Sequence, residues 1–417
     1  MNITMKLPES RVPLPPLVFL DPGNFTPLYD MHLASALAQR GWQTHLVTSL
    51  HQFDDPPVFP GITVTHAFYL FLRRRWLKFF AHTPALRRLA KVVAYPLGLA
   101  RLSRVLNQSR AGILHVQWAF IPPLDMLFWR MFKRRGWIVV FTAHEPSPLA
   151  GTLPSGLTLY RNRLWGAADA VVVHGVDAAQ TIRVAGVPEE RIHVLPPGAP
   201  AISTQIPRSE ARLALGIQPE QRVILFLGYI KPHKGLNVLL QSIALVKKRH
   251  DRLLCLVAGE CMDGLGRYQD LIKELKLERE VRLHGNYLPE RMIPLYFSAC
   301  DVVALPYLEA AYSGVLLSAY AYERPVVATA VGGNPELVEE GQTGLLVPPG
   351  DPIAFAAALS RVLEEPEAAK RMGTRGAERL QRKYSWPQIA AYTERVYRSA
   401  IEKSGRQSAV VSRKRKV

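Results

Sequence analysis

Short runs of consecutive apolar residues punctuate the chain, and helical patterns separate them. The first series covers residues 17–20, 45–48, 113–116, 139–142 and 170–173. A second covers 223–227, 253–258, 281–283, 302–305, 326–328 and 345–347. Unbroken hydrophobicity, rather than alternation, is expected of strands covered on both faces. Strand–helix–strand repetition predicts parallel, doubly wound sheets. Two series predict an α/β protein of two Rossmann-like domains facing a central cleft. Residues 196–208, rich in Pro, Ala and Ser, are the expected joint. The first domain is therefore placed at 1–198 and the second at 199–385. A helix over 386–403 is expected to pack back on the first domain, and the basic tail 404–417 is expected to be disordered.

Length and composition agree with this division. The chain has 417 residues, 48% of them hydrophobic, which is more than one ordinary core accommodates. The formal net charge of +18 favours anionic partners. That excess is local: residues 73–135 hold fourteen Lys or Arg, opposed only by Asp125. Cys255, Cys261 and Cys300 form no CxxC or Cys/His pattern, so neither a disulfide framework nor a zinc site is expected, and a reducing cytoplasm fits. No basic and apolar leader opens the sequence, and no apolar run reaches the length of a membrane span.

Open α/β sheets bind ligands at the carboxyl ends of their strands, so the loops after strands are the places to look for chemistry. Residues 228–235, Gly-Tyr-Ile-Lys-Pro-His-Lys-Gly, follow a strand and precede a helical pattern. Lys231 and Lys234 are placed there to meet a pyrophosphate near a helix N-terminus; the plain alternative is two solvated lysines on a turn. In 306–315, Ser313 suits an N-cap, and Gly314 and Val315 would offer backbone amides to a ligand. The plain alternative there is an ordinary capped helix with Glu309 in its first turn. In 331–336, Gly332 and Gly333 allow close backbone approach, and Glu336 is either a ligand or a cap for the next helix.

These three loops resemble those of one family. Pro325-Val326-Val327-Ala328-Thr329, Gly332-Gly333, Pro335-Glu336-Leu337-Val338 and Glu340-Gly341-Gln342-Thr343-Gly344-Leu345-Leu346-Val347-Pro348 are similar to the C-terminal signature of family-4 retaining glycosyltransferases. The resemblance implies the GT-B fold. Tyr384-Ser385-Trp386 resembles the family's closing helix motif, and Phe141-Thr142-Ala143-His144-Glu145 its Thr-x-His-Asp stretch. The sequence departs from the family at three places. Tyr229 stands where the phosphate loop has Arg, and Ala310 and Ser318 stand where two glutamates are usual. Glu309 is the nearest acid, and the Ser313-Gly314-Val315 form resembles a subgroup carrying this substitution.

The resemblance implies transfer of a sugar from a nucleotide diphosphate donor, with retention of anomeric configuration. No metal or other cofactor is expected. Lys231, Lys234, Ser313, Gly314 and Val315 are the expected diphosphate ligands. Gly23, Asn24, Gly285, Asn286, Tyr287, Ser318 and Glu336 are candidates for the donor sugar and nucleoside. His144 and Glu309 are the candidate catalytic groups, while His115 and His174 are read as structural. Arg73, Arg74, Arg75, Trp76, Lys78, Arg87 and Arg88 combine cations with aromatics, and 86–107 is a basic amphipathic pattern. These suit an anionic inner membrane face and a lipid-linked or glycan acceptor. The alternative is that the aromatics enter the core. An epimerase or hydrolase of the same fold would leave that surface unused. A nucleic-acid-binding protein would need a reading motif or stacking platform, and none is found. An inactive binding relative would account for the absent glutamates. Donor sugar, base and acceptor are not selected by the sequence.

Overall fold

The computed structural model describes residues 14–50, 59–70, 84–144, 155–199, 205–261, 264–310 and 312–414, and the side chains of these except 84–88, 155–159 and 406–414. The first sheet contains β1 (Leu17–Asp21), β2 (Thr44–Ser49), β3 (Ile62–Phe68), β4 (Ile113–Val116), β5 (Ile138–Thr142), β6 (Ala170–Val173) and β7 (Ile192–Val194). Their spatial order is β3-β2-β1-β4-β5-β6-β7, with every neighbouring pair parallel. The second sheet contains β8 (Arg222–Leu227), β9 (Leu253–Ala258), β10 (Val281–His284), β11 (Val302–Leu305), β12 (Val326–Thr329) and β13 (Gly344–Val347). Its order is β10-β9-β8-β11-β12-β13, again all parallel.

The apolar runs are continuous because both faces of each sheet are covered. Along β1, Val18 and Leu20 pack with Tyr95, Leu99 and Leu102, whereas Leu17 and Phe19 pack with Ile389, Ala390, Val396 and Tyr397. The last helix, Trp386–Lys414, therefore completes the core of the first lobe although it follows the second. Trp386 stacks on His32 at 5.3 Å and meets Tyr29 edge-on, and Arg40 pairs with Glu394 at 2.6 Å. Two expectations need correction. The backbone of 404–414 continues this helix rather than forming a disordered tail; residues 415–417 lie outside the described residues. β3 has no counterpart among the apolar runs: it is an edge strand whose Thr63, Val64 and His66 are exposed.

His115 links the strands to this returning helix. Its Nδ1 lies 2.6 Å from the Tyr397 hydroxyl and its Nε2 lies 2.7 Å from Thr142 Oγ1. Burial pushes its imidazole down to about 3, so it is a neutral structural group, as the sequence suggested. Tyr397→Phe leaves a buried ring nitrogen unpartnered. The expected loss is about 1 to 3 kcal/mol of unfolding free energy, measurable by denaturant titration.

Candidate functional site

In each sheet the chain reverses its direction of winding at one position: between β1 and β4, and between β8 and β11. Connections leave such neighbouring strands toward opposite faces, which opens a crevice at their carboxyl ends. Loops 228–235 and 306–310, with residues 312 and 313, flank the crevice of the second lobe. Gly228 has φ +112° and Gly235 has φ +67°. A β-carbon at Gly235 would overlap the Pro306 carbonyl oxygen, so only glycine lets the two loops close on each other. The Leu308 amide donates to the His233 carbonyl at 2.8 Å and locks them together.

This closure seats the candidate phosphate groups. The Lys234 ammonium lies 3.8 Å from the centre of the buried Tyr307 ring, a cation–π contact that fixes a flexible side chain. Ser313 caps the Gly314–Ala321 helix by accepting from the Leu316 amide at 3.2 Å, and the space around Gly314 is open. A β-carbon at Gly228 would lie 3.5 Å from the Val315 side chain, so the lysine loop adjoins the free first turn of that helix. Lys231 lies on the same loop, 5.7 Å from the Tyr229 ring. Glu309 is exposed, with its backbone against the His233 carbonyl. Ser318 donates to the Gly314 carbonyl within its own helix. Gly285, Asn286 and Tyr287 follow the edge strand β10, two strand spacings or roughly 10 Å from β8.

The first lobe presents a polar and aromatic wall. The Asp21 carboxylate accepts from the amides of Gly23 at 3.2 Å and Thr26 at 3.0 Å, and Asn24 takes the left-handed conformation at φ +53°. Trp118 donates to Thr26 Oγ1 at 3.1 Å and stacks on His144 at 5.1 Å. His144 Nε2 lies 2.8 Å from Gln117 Oε1. Burial holds this imidazole well below its usual range, and His174 and His115 add to the effect. His144 is thus a neutral hydrogen-bonding group rather than a cation. Burial also raises Asp30, and the neighbouring Asp21 raises it further. Gln117 and Trp118 escaped the sequence reading. Their signal was position alone: both immediately follow β4, in a loop that held no charge or glycine to attract notice.

Glu336 makes a contact with the other lobe that the sequence did not suggest. Its Oε1 accepts from the Val176 amide at 3.0 Å, in the first turn of the Val176–Val184 helix of the other lobe. It therefore caps neither its own helix, Asn334–Leu337, nor the next one.

Comparison with known proteins agrees with this layout. The profile of "Glycosyltransferase Family 4" matches residues 29–201, and that of "Glycosyl transferases group 1" matches 207–379. The chain is a glycosyltransferase of GT-B type. Among curated relatives, the transferase is 27% identical to a D-inositol 3-phosphate glycosyltransferase of Thermobispora bispora, over 90% of each chain. In fold it is similar to sucrose-phosphate synthase of Thermosynechococcus elongatus, with a TM-score of 0.70, 21% identity and coverage of 93% of this chain and 100% of that one. It is also similar to the Anabaena protein HepE solved with UDP-glucose, with a TM-score of 0.66, 18% identity and coverage of 92% and 99%.

The basic aromatic segment is only partly visible. Phe68 and Tyr69 are buried in the core of the transferase, as the plainer reading had it. Arg73, Arg74, Arg75, Trp76 and Lys78 lie outside the described residues, as do the side chains of Arg87 and Arg88. The helix Pro84–Asn107 matches the expected amphipathic stretch. Among the described residues, no cluster of three or more His, Cys, Asp or Glu is arranged to hold a metal, and no helix is long and apolar enough to cross a membrane.

Proposed function

We propose that this transferase moves a glycosyl group from a nucleotide diphosphate sugar, bound by the second lobe, to a hydroxyl acceptor held by the first. The observation that carries the reading is the closure of the Lys234 loop onto the Tyr307–Val315 segment at the β8/β11 crevice. Bond breaking leaves negative charge on the departing diphosphate. Lys231, Lys234 and the amides of Gly314 and Val315 stabilise that charge more in the transition state than before it. The reading gives these groups the work, and no metal is needed for it. His144, Asn24 and Glu309 orient the sugar and the acceptor, and Gly23 permits close approach. Tyr287, with Gly285 and Asn286, borders the nucleoside. Retention of configuration is carried over from the family resemblance.

The name of the full-length relative favours a phosphorylated polyol as acceptor. HepE makes UDP-glucose the first donor to try. The test is UDP release by the purified protein from a panel of nucleotide sugars, with D-inositol 3-phosphate present or absent and with or without EDTA. NMR of the product reads its anomeric configuration. Failure of every nucleotide sugar to bind or turn over overturns the donor assignment. Inversion overturns retention, and loss of turnover in EDTA overturns metal independence.

A second acceptor reading, a lipid-linked or cell-surface precursor met at the inner membrane face, rests on a specific surface. Leu89, Val92, Val93 and Leu97 form one stripe of the Pro84–Asn107 helix and are between 46% and 68% exposed. An apolar stripe on a basic helix suits an anionic bilayer interface. Val93→Glu with Leu97→Glu is expected to weaken binding to phosphatidylglycerol vesicles about tenfold or more, with little change in melting temperature. Wild-type protein that fails to float with such vesicles at moderate salt removes this reading.

A further inference from the structure

We infer that Glu336 is a positioning residue that reaches across the cleft and sets the alignment of the two lobes for transfer. The inference deepens the proposed reaction and rests on its division of donor and acceptor between the lobes. The Val176–Val184 helix begins at Gly175, which has an extended backbone and no side chain with which to cap it. The free amide of Val176 instead donates to Glu336 Oε1, 160 residues further along the chain. A carboxylate at a helix N-terminus is favoured by both the hydrogen bond and the aligned peptide dipoles.

The Glu336 end of this bond is held in place by its neighbours, and both ends lie beside the candidate site. Arg379 donates to the carbonyls of Glu336 at 2.8 Å and Leu337 at 3.0 Å, and its guanidinium also pairs with Glu339. Asn334 donates to the Thr329 carbonyl at 3.0 Å. Glu336 follows β12, the immediate neighbour of β11, whose loop carries Ser313 and Gly314. Val176 follows β6, the immediate neighbour of β5, whose loop carries His144. The ring of Tyr312, one residue before Ser313, also approaches Gly175: a β-carbon there would lie 3.9 Å from it. The bond therefore connects a loop next to the diphosphate cradle with a loop next to the acceptor wall. Loosening it separates two half-sites that are each intact.

Two substitutions remove the bond from opposite sides. Glu336→Ala removes the acceptor. Val176→Pro removes the donor at the first helical position, where proline is well tolerated, and its preceding residue is already extended. Val176 is exposed, so no core packing is lost. Each single variant, checked for folding by its melting curve, is expected to show a larger radius of gyration in solution scattering. Amide exchange in the first turn of the Val176–Val184 helix should be faster. With the donor and acceptor identified above, kcat should fall about tenfold while the dissociation constant of UDP changes less than twofold, as for misplaced half-sites. Glu336→Gln keeps the acceptor oxygen and should restore most of the loss. The double variant should be no worse than either single one. Unchanged scattering and exchange in both single variants, or effects that multiply in the double variant, overturn the inference. A wild-type protein that ignores UDP overturns the donor reading alone, because the scattering and exchange comparisons need no ligand.

Discussion

Replacing Lys234 by Ala is expected to lower turnover by about a hundredfold to a thousandfold, the range seen when one fixed donor to a developing oxyanion is removed. The argument begins with placement. Lysine has a long, flexible stem, and an unrestrained ammonium would lose entropy on meeting a phosphate. Here the ammonium is held 3.8 Å from the Tyr307 ring centre before any ligand arrives. Tyr307 is buried, and its hydroxyl lies 3.5 Å from Ser313 Oγ, so ring, cap and cation form one unit. Charge on the diphosphate grows as the glycosidic bond breaks, so the loss should fall mainly on kcat. Stability should change only modestly, since a cation–π contact contributes about 0.5 to 2 kcal/mol. Steady-state kinetics on the purified variant, with its melting curve alongside, decide the matter. Near-normal turnover removes Lys234 from the mechanism.

Gly235→Ala is expected to act one residue away by a different route, damaging both fold and function. The backbone there is left-handed, at φ +67°, a conformation that costs a non-glycine residue about 1 to 2 kcal/mol. The added methyl group also overlaps the Pro306 carbonyl oxygen, which is backbone and has little freedom to move. The two loops must then part, and the bond from the Leu308 amide to the His233 carbonyl stretches or breaks. A destabilisation of about 3 kcal/mol or more is expected, with a comparable loss of UDP affinity. Denaturant titration and calorimetry separate this outcome from that of Lys234→Ala, in which stability survives. A Gly235→Ala protein of wild-type stability would mean that the loops are not closed on each other in solution.

Much of the scaffold was legible in the chain. Eleven of the thirteen strands announce themselves as the apolar runs at 17–20, 113–116, 170–173, 223–227 and their companions, or as close variants of them. The candidate phosphate loop was legible because glycines bracket two lysines immediately after such a run. His144 was legible because it ends one. β3 was not, because Thr63, Thr65 and His66 interrupt its apolar residues. Gln117 and Trp118 were not, because an uncharged glutamine and a tryptophan after a strand look like any loop.

The sequence by itself determined most of the strands, where the backbone can turn left-handed and which loops can carry cations, because each of these depends on neighbours a few residues away. The tertiary structure alone decided that β8 lies beside β11, so that two loops meet around Lys234, and that Glu336 spends its carboxylate on an amide of the other lobe. Local pattern records whether a residue is buried or charged. It holds no record of which distant partner the winding of the chain will bring within hydrogen-bonding distance.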